Sequence, residues 1–230
     1  IFQRQIMQLM PDNRVALMNV LDDGLLPYTQ VNGSTFPGSD ANLIRQYPPT
    51  DDPQYHQKAL DLVSKLAPDL WDGNPVGFYR TFTSSVKLDE AFPNGGGSVG
   101  LLLGMALELW GMPTSAPAYD PNNKNFIYQR FQRGIMHYDK GSGVTQGLLL
   151  ADYVKSIMTL KNLPPDLDER AKKSRLYDQF NPTRTFALNR PSDLPGTDLT
   201  GAFRREPIVM VDPGHGGTEI GSTAKYADGQ

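Results

Sequence analysis

The most constraining feature of the sequence is a short apolar segment that runs directly into a glycine-rich turn. Residues Ile208 to Val211 are uncharged and mostly β-branched, and Pro207 and Pro213 flank them, a pattern typical of a buried β-strand. The turn Asp-Pro-Gly-His-Gly-Gly then places His215 at the C-terminal end of that strand, where open α/β sheets carry their sites. The two glycines that follow leave space around the imidazole. This arrangement is suited to presenting a metal ligand.

The run IVMVDPGHGGTEIGS resembles the start of the zinc-dependent N-acetylmuramoyl-L-alanine amidases. These enzymes cleave the amide between the muramic-acid lactyl group and the stem peptide of peptidoglycan. The resemblance covers residues 207–230, and His215 matches the histidine that binds zinc in the family. It implies that residues 207–230 begin an α/β amidase domain, that zinc is the cofactor of the complete enzyme, and that peptidoglycan is its substrate.

The other groups that this chemistry requires are expected in a longer parent polypeptide. A catalytic zinc needs three protein ligands and one open position, and the family supplies them from a glutamate and a histidine further along its domain. The chain has three histidines, His56, His137 and His215, and no cysteine. We therefore expect the catalytic residues beyond Gln230, and we expect this segment alone to be inactive, with its zinc position unfilled.

The composition narrows the class of partner and the compartment. The net charge is -3 and no block of basic residues is present, so nucleic acid is not expected as a partner. The absence of cysteine excludes disulfides and thiolate chemistry, and no apolar stretch approaches the 18 residues of a membrane span. Together with the resemblance, these features favour a secreted or cell-envelope protein.

The first 109 residues predict a helix-rich region. Met, Leu and Val recur at near-helical spacing in residues 1–22, which predicts two short helices. Asp52 and Pro53 predict a helix start, with Asp as the N-cap. Residues 99–109 are apolar on most sides and are expected to form a buried helix or strand. The aromatic residues expected in the core are Trp71, Phe78, Tyr79 and Phe82.

A second resemblance covers residues 110–158. The run Trp-Gly-Met-Pro-Thr-Ser from Trp110, and then Phe-Gln-Arg-Gly-Ile from Phe131, are similar to one LGFP-type repeat, a module of secreted wall-associated proteins. The pattern predicts a strand over 136–138, a hairpin turn over 140–143 and a helix over 146–158. The resemblance implies that a cell-wall polymer is a partner of this region.

The LGFP-like segment also contains the candidate substrate-binding residues. Planar rings and guanidinium groups can stack on sugar rings and donate hydrogen bonds to hydroxyls or carboxylates. The residues assigned to this role are Trp110, Tyr128, Arg130, Arg133 and Tyr138. The alternative interpretation is structural: Phe131, Ile135 and Tyr138 form core, the arginines pair with acidic neighbours such as Asp139 and Asp152, and His137 is a hydrogen-bonded structural histidine.

The predicted fold class is α+β, in three parts. Residues 1–158 form a helix-rich wall-association domain with a small β-hairpin element. Residues 159–206 form a charged, Pro-rich connector that includes a short solvated helix over 166–177, and residues 207–230 begin the amidase domain.

Two functions follow from this organisation. The first is a secreted, wall-directed fragment of a zinc-dependent N-acetylmuramoyl-L-alanine amidase. The alternative is a non-catalytic envelope binding or assembly module, whose strand Ile208 to Val211 pairs with a protein partner because a bare apolar edge invites pairing.

Overall fold

The structure is a computed structural model that describes residues 6–9, 13–21, 25–26, 29–148 and 150–179. All of these residues belong to one unit, Ile1–Asp198, and the second unit, Leu199–Gln230, contains none of them. The amidase-like segment 207–230 with His215, and the connector from residue 180 onward, therefore lie outside the described residues.

The described residues form a mixed α+β fold, which confirms the predicted class. The strands are β1 (Met7–Leu9), β2 (Val15–Leu17), β3 (Gln30–Val31), β4 (Ser34–Thr35), β5 (Ala118–Tyr119), β6 (Phe126–Arg130), β7 (Ile135–Asp139) and β8 (Val144–Gly147). The helices are α1 (Ala41–Ile44), α2 (Tyr55–Leu66), α3 (Phe78–Thr83), α4 (Leu88–Ala91), α5 (Val99–Trp110), α6 (Leu150–Thr159) and α7 (Pro165–Ala171). Within these ranges, no helix is both long and apolar enough to cross a bilayer.

An antiparallel four-stranded sheet in the order β5-β6-β7-β8 lies at the centre of the fold. Its turn over residues 140–143, the predicted hairpin, is stabilised by Asp139, whose carboxylate accepts bonds from the Gly141 N–H (2.8 Å) and the Ser142 hydroxyl (2.9 Å). Gly143 closes the turn at φ +69°, a conformation that favours glycine. The predicted strand over 136–138 is confirmed within β7.

Side chains alternate between the two faces of this sheet, as the two-residue period of a strand requires. The α2 face, which packs on α2, α3 and α5, carries Ile127, Gln129, Met136, Tyr138 and Thr145. The α6 face, which packs on α6, α7 and the β3–β4 hairpin, carries Tyr128, Arg130, Ile135, His137 and Gln146. The sheet is thus covered by two layers, each with its own apolar core.

The core on the α2 face contains the aromatic residues expected there. Phe78 and Phe82 are fully buried, while Trp71 and Tyr79 pack against this core from positions that remain partly exposed. Helix α2 begins at Tyr55, later than predicted, because the Asp52 carboxylate accepts from the Gln54 N–H (2.8 Å) in a turn that precedes the helix.

The N-terminal prediction of two helices is wrong. Strands β1 and β2 instead form a hairpin in which Met7 lies opposite Leu17, and the Met18 N–H donates to the Ile6 carbonyl at 2.9 Å. In so short a segment the same apolar residues satisfy a helical or an extended pattern, so pairing between the two arms decides the outcome. Asn13, at φ +63°, allows the chain to reverse.

Residues 99–109 lie in helix α5, and a helix is one of the two structures expected for them, but much of the surface of this helix is exposed. Among its residues only Ala106 and Leu107 are buried, whereas Val99 is 68% and Leu101 51% exposed. The helix ends at Gly111, at φ +69°, whose N–H donates to the Leu107 carbonyl at 2.8 Å. Its apolar character therefore exceeds what the core uses.

The segment after residue 159 also differs from expectation. The helix predicted over 146–158 begins only at Leu150, because residues 144–147 form β8. The charged stretch 166–177 was expected to be solvated, yet Leu167, Ala171 and Leu176 lie in the core on the α6 face. The first part of the region assigned to the connector is thus packed on the sheet.

Candidate functional site

A cavity of about 450 Å³ lies beside β8, between that strand and the C-terminal ends of α3 and α5. We call it the Trp110 cleft. It brings two of the five sequence-predicted binding residues together, Trp110 and Arg133. The polar side chains that join them along its walls are Thr81, Ser84, Ser85, Thr145 and Gln146.

The indole of Trp110 is held at the border of this cleft by close packing. Its Nε1–H donates to the Ser85 hydroxyl at 2.7 Å, and the ring lies against the backbone at two glycines. A Cβ atom added at Gly134 would fall 2.7 Å from the indole, and one added at Gly147 would fall 2.5 Å from it. Both glycines are therefore required by the position of this ring.

Arg133 joins the β6–β7 turn to the end of α5. Its Nη1 donates to the carbonyls of Leu107 (3.1 Å) and Glu108 (2.7 Å), and it lies 3.9 Å from the Glu108 carboxylate. A cation at this position gives the Glu108 carbonyl a partner and the Leu107 carbonyl a second one beside the Gly111 N–H, and it is favoured at the negative end of the helix dipole. The guanidinium of Arg133 thus holds the β6–β7 turn against the end of α5, and it also borders the cleft.

The other three predicted binding residues do not share this surface. Tyr128 (3% exposed) and Arg130 (5%) lie on the α6 face, and Tyr138 (5%) lies on the α2 face. None of the three lines the Trp110 cleft, and the sheet separates Tyr138 from the other two, so these five residues do not form a single site.

Each of the three has a structural contact in the core. Tyr128 packs edge-on against Phe36 at 4.8 Å between ring centroids, and burial raises the pKa of its hydroxyl. The Nη2 of Arg130 donates to the Leu21 carbonyl at 2.9 Å. Tyr138 belongs to the apolar core of the α2 face.

The structural alternative is confirmed for Phe131, Ile135 and Tyr138, which are all buried. The ion pairs differ from those expected. The Asp139 carboxylate accepts hydrogen bonds within its own turn, and the acidic neighbour of Arg133 is Glu108.

His137 is half-buried in β7, with the rings of Phe126 and Tyr128 about it at centroid distances of 6.0 and 6.2 Å. Burial lowers the pKa of its imidazole, so the neutral form is favoured near pH 7. Contrary to the hydrogen-bonded histidine expected, its Nδ1 is buried without a hydrogen-bond partner among the described residues.

The described residues do not supply a zinc ligand set. His56 lies on α2, which packs on the α2 face, and His137 lies on the α6 face. No group of three histidine, cysteine, aspartate or glutamate side chains converges within the described ranges. The proposed ligand His215 lies outside them.

A second cavity, of about 1010 Å³, lies on the α6 face between the end of β8, α6 and residues 161–165. We call it the α6 cavity. His137 borders it, with Asp152, Tyr153, Lys155 and Lys161. The Asn32 side chain donates to the Tyr153 hydroxyl at 3.1 Å and links the β3–β4 hairpin to this wall.

Sequence reasoning missed Ser84, Thr145, Gln146 and Lys155 as cavity-lining residues. Thr145, Gln146 and Lys155 lie within the LGFP-like segment but were not among its candidate binding residues, and Ser84 and Gln146 are brought together only by the packing of α3 against the sheet. Comparison of the chain with protein-family models, curated proteins and solved structures gave no match. The two resemblances therefore rest on their sequence motifs.

Proposed function

We propose that this chain is the wall-directed part of a secreted or cell-envelope N-acetylmuramoyl-L-alanine amidase, and that the Trp110 cleft binds the wall polymer. The observation that carries the binding role is the cleft itself, in which an indole borders a cavity lined by hydroxyl, amide and guanidinium groups. Rings that contact sugar faces, surrounded by donors and acceptors for hydroxyls, suit a saccharide-containing ligand. The resemblance of residues 110–158 to an LGFP-type repeat supports the same role.

The hydrolytic part of the proposal rests on the motif around His215. Zinc belongs to the complete enzyme in this proposal, with His215 as one ligand, and the described residues contribute no ligand set to it. The role of the described unit is to bind the polymer, and it requires no metal chemistry.

Polymer binding is tested by co-sedimentation of the full 230-residue chain with purified peptidoglycan sacculi. The informative variants are Gln146→Ala and Ser84→Ala, which remove cleft hydrogen-bonding groups from exposed positions. Each loss is expected to weaken binding about fivefold, the effect of one hydrogen bond worth ~1 kcal/mol.

Matched controls exist on α2, away from the cleft. Gln57→Ala and Ser64→Ala remove the same groups from exposed positions. Ser64 donates to the Asp61 carbonyl at 2.8 Å, much as Ser84 donates to the Arg80 carbonyl at 2.7 Å. Equal binding by the cleft and control variants would refute the assignment of the cleft.

The amidase proposal is tested on the natural polypeptide, whose intact mass shows whether it continues past Gln230. In a form that continues, His215→Ala should abolish release of new peptide amino termini from sacculi while co-sedimentation is retained. Binding without amide hydrolysis by any natural form would favour the non-catalytic envelope module instead.

A further inference from the structure

Strand β8 is the outer strand of the central sheet, and part of its main chain points away from its neighbour. It pairs only with β7, with Gln146 opposite His137 and Thr145 opposite Tyr138. The Leu148 N–H donates to the Ile135 carbonyl at 2.9 Å, which fixes the alternation of hydrogen-bonded and non-hydrogen-bonded pairs along the ladder.

In this register residues 144, 146 and 148 bond to β7, whereas the N–H and C=O groups of Thr145 and Gly147 point outward. No main-chain hydrogen bond from another described residue reaches these four groups. The edge therefore presents two donors and two acceptors in the spacing of one further strand.

The two cavities lie on either side of this edge. The Trp110 cleft opens on the face that carries Thr145 and extends around the strand to Gln146, the α6 cavity opens on the face that carries His137, and both are bordered by Gly147 and Leu148. A chain laid along β8 would direct successive side chains alternately into one cavity and then the other. This is the geometry of recognition by strand addition, in which the main chain gives affinity and alternate pockets give specificity.

We propose that the free edge of β8 binds a single extended peptide that carries an acidic side chain between two apolar ones. In an antiparallel pairing, peptide residues opposite Thr145 and Gly147 face the Trp110 cleft, where Leu109, Trp110 and Leu148 offer apolar surface. The residue opposite Gln146 points to the face that carries His137, where the α6 cavity lies.

The charges of the α6 cavity select the acidic side chain. Its charged groups are Lys155, Lys161 and Asp152, and neither lysine forms an ion pair with a described residue. The cavity thus carries one excess positive charge, which complements a carboxylate. Because β8 (Val-Thr-Gln-Gly) carries no acidic residue, the same edge of a second copy would not supply the carboxylate. This proposal shares the Trp110 cleft with the proposed polymer site, but its tests depend on main-chain groups and on the two lysines, which polymer binding does not require.

The probe is the peptide Ac-Val-Glu-Val-Glu-Val-NH2, titrated into the ¹⁵N-labelled full 230-residue chain and followed by NMR. We expect saturable shifts of the Thr145 and Gly147 amides. The lysine counterpart Ac-Val-Lys-Val-Lys-Val-NH2 and a probe whose inward-facing amides are N-methylated should each bind at least about tenfold more weakly. Equal binding by either control peptide would overturn the proposal.

Variants of the protein give an independent test. Thr145→Pro removes an outward N–H without removing a ladder bond, a position at which edge strands tolerate proline. Thr145→Val keeps that N–H but loses the bond from the hydroxyl to the Val76 carbonyl, which Thr145→Pro also loses. We expect the proline variant to bind about tenfold more weakly than the valine variant.

The lysines are tested with Lys155→Gln/Lys161→Gln against Lys65→Gln/Lys173→Gln at exposed positions elsewhere. The first pair should weaken binding about fivefold and the second should leave it unchanged. The proposal would be overturned if the proline and valine variants of Thr145 bound the peptide equally well, or if the two double-lysine variants did. Should the proline variant lose its dispersed NMR spectrum, the N-methylated probe with the unaltered protein decides the main-chain question.

Discussion

Gly134 lies where the indole of Trp110 leaves no room for a side chain, and its replacement is the sharpest test of the cleft geometry. A Cβ at this position would be 2.7 Å from Cζ3 and 2.9 Å from Cε3 of the indole. Normal carbon–carbon contacts are about 3.5–4.0 Å, so the ring or the β6–β7 turn must move by about 1 Å. We therefore expect Gly134→Ala to destabilise the fold.

The indole cannot easily withdraw, which sets the size of the effect. Its Nε1–H is bonded to Ser85 at 2.7 Å, Gly147 approaches its other edge, and Phe131 packs against it at 5.7 Å between ring centroids. Overpacking of a site that cannot relax costs about 1–3 kcal/mol. For a unit of this size, this corresponds to a fall in Tm of about 3–10 °C.

The measurement is urea unfolding of the full chain followed by far-UV circular dichroism, with Gly104→Ala as the matched control. A Cβ at Gly104 meets no atom within 4 Å, and alanine is favoured over glycine inside a helix by up to about 1 kcal/mol. The two Gly→Ala changes should thus shift stability in opposite directions.

A double-mutant cycle assigns the cost to the indole. In a Trp110→Leu background the penalty of Gly134→Ala should fall by at least about 1 kcal/mol, because the atoms that clash have been removed. The reasoning is refuted if Gly134→Ala is as stable as Gly104→Ala, or if its penalty is unchanged without the indole.

Three further predictions concern the core. Gln129→Leu should cost about 1–3 kcal/mol in urea unfolding, since it leaves the Leu66 and Ser115 carbonyls without the buried Nε2 that now reaches them at 2.7 and 3.2 Å; no change would show that water replaces it. Leu167→Ala should cost about 2–5 kcal/mol because its side chain is fully buried, and a near-zero cost would show that α7 is not part of the core. Because burial lowers the pKa of His137, the unfolded chain binds this proton more tightly, so the free energy of unfolding should fall as the pH drops below about 6.5. His137→Asn should flatten that part of a pH series, and an unaltered slope would contradict the assignment.

The LGFP-like segment was the most predictable part of the fold, because its information is local. The strand around Met136, the turn closed by Gly143 and the helix that contains Val154 and Ile157 all follow from short-range period and turn chemistry. The boundary between β8 and α6 was misplaced, since strand pairing at Gln146 competes with helical spacing there and pairing with β7 prevails.

Predictions failed where distant residues decide the structure. Charge dominates residues 166–177, yet Leu167 and Ala171, four positions apart, make a narrow apolar stripe on one side of α7, and this stripe packs on the α6 face. Nothing near these residues in sequence reveals the surface that covers them. Arg130 was assigned to ligand binding, but its guanidinium bonds to Leu21, which is 109 positions away.

The location of the candidate site follows from which strands are covered on both faces. Strands β6 and β7 each have two neighbouring strands and are covered on both faces. Their side chains Tyr128, Arg130 and Tyr138 are therefore buried between the sheet and the layers that cover it. Strand β8 has one neighbour, and its Thr145 and Gln146 line a cavity despite their plain chemistry. Composition alone would assign ligand binding to the strands richest in aromatic and basic residues, whereas the side chains that a ligand can reach lie on the edge strand. Ligand contacts in this fold are therefore expected from β8 and the ends of α3 and α5, and substitutions within β6 and β7 should change stability before they change binding.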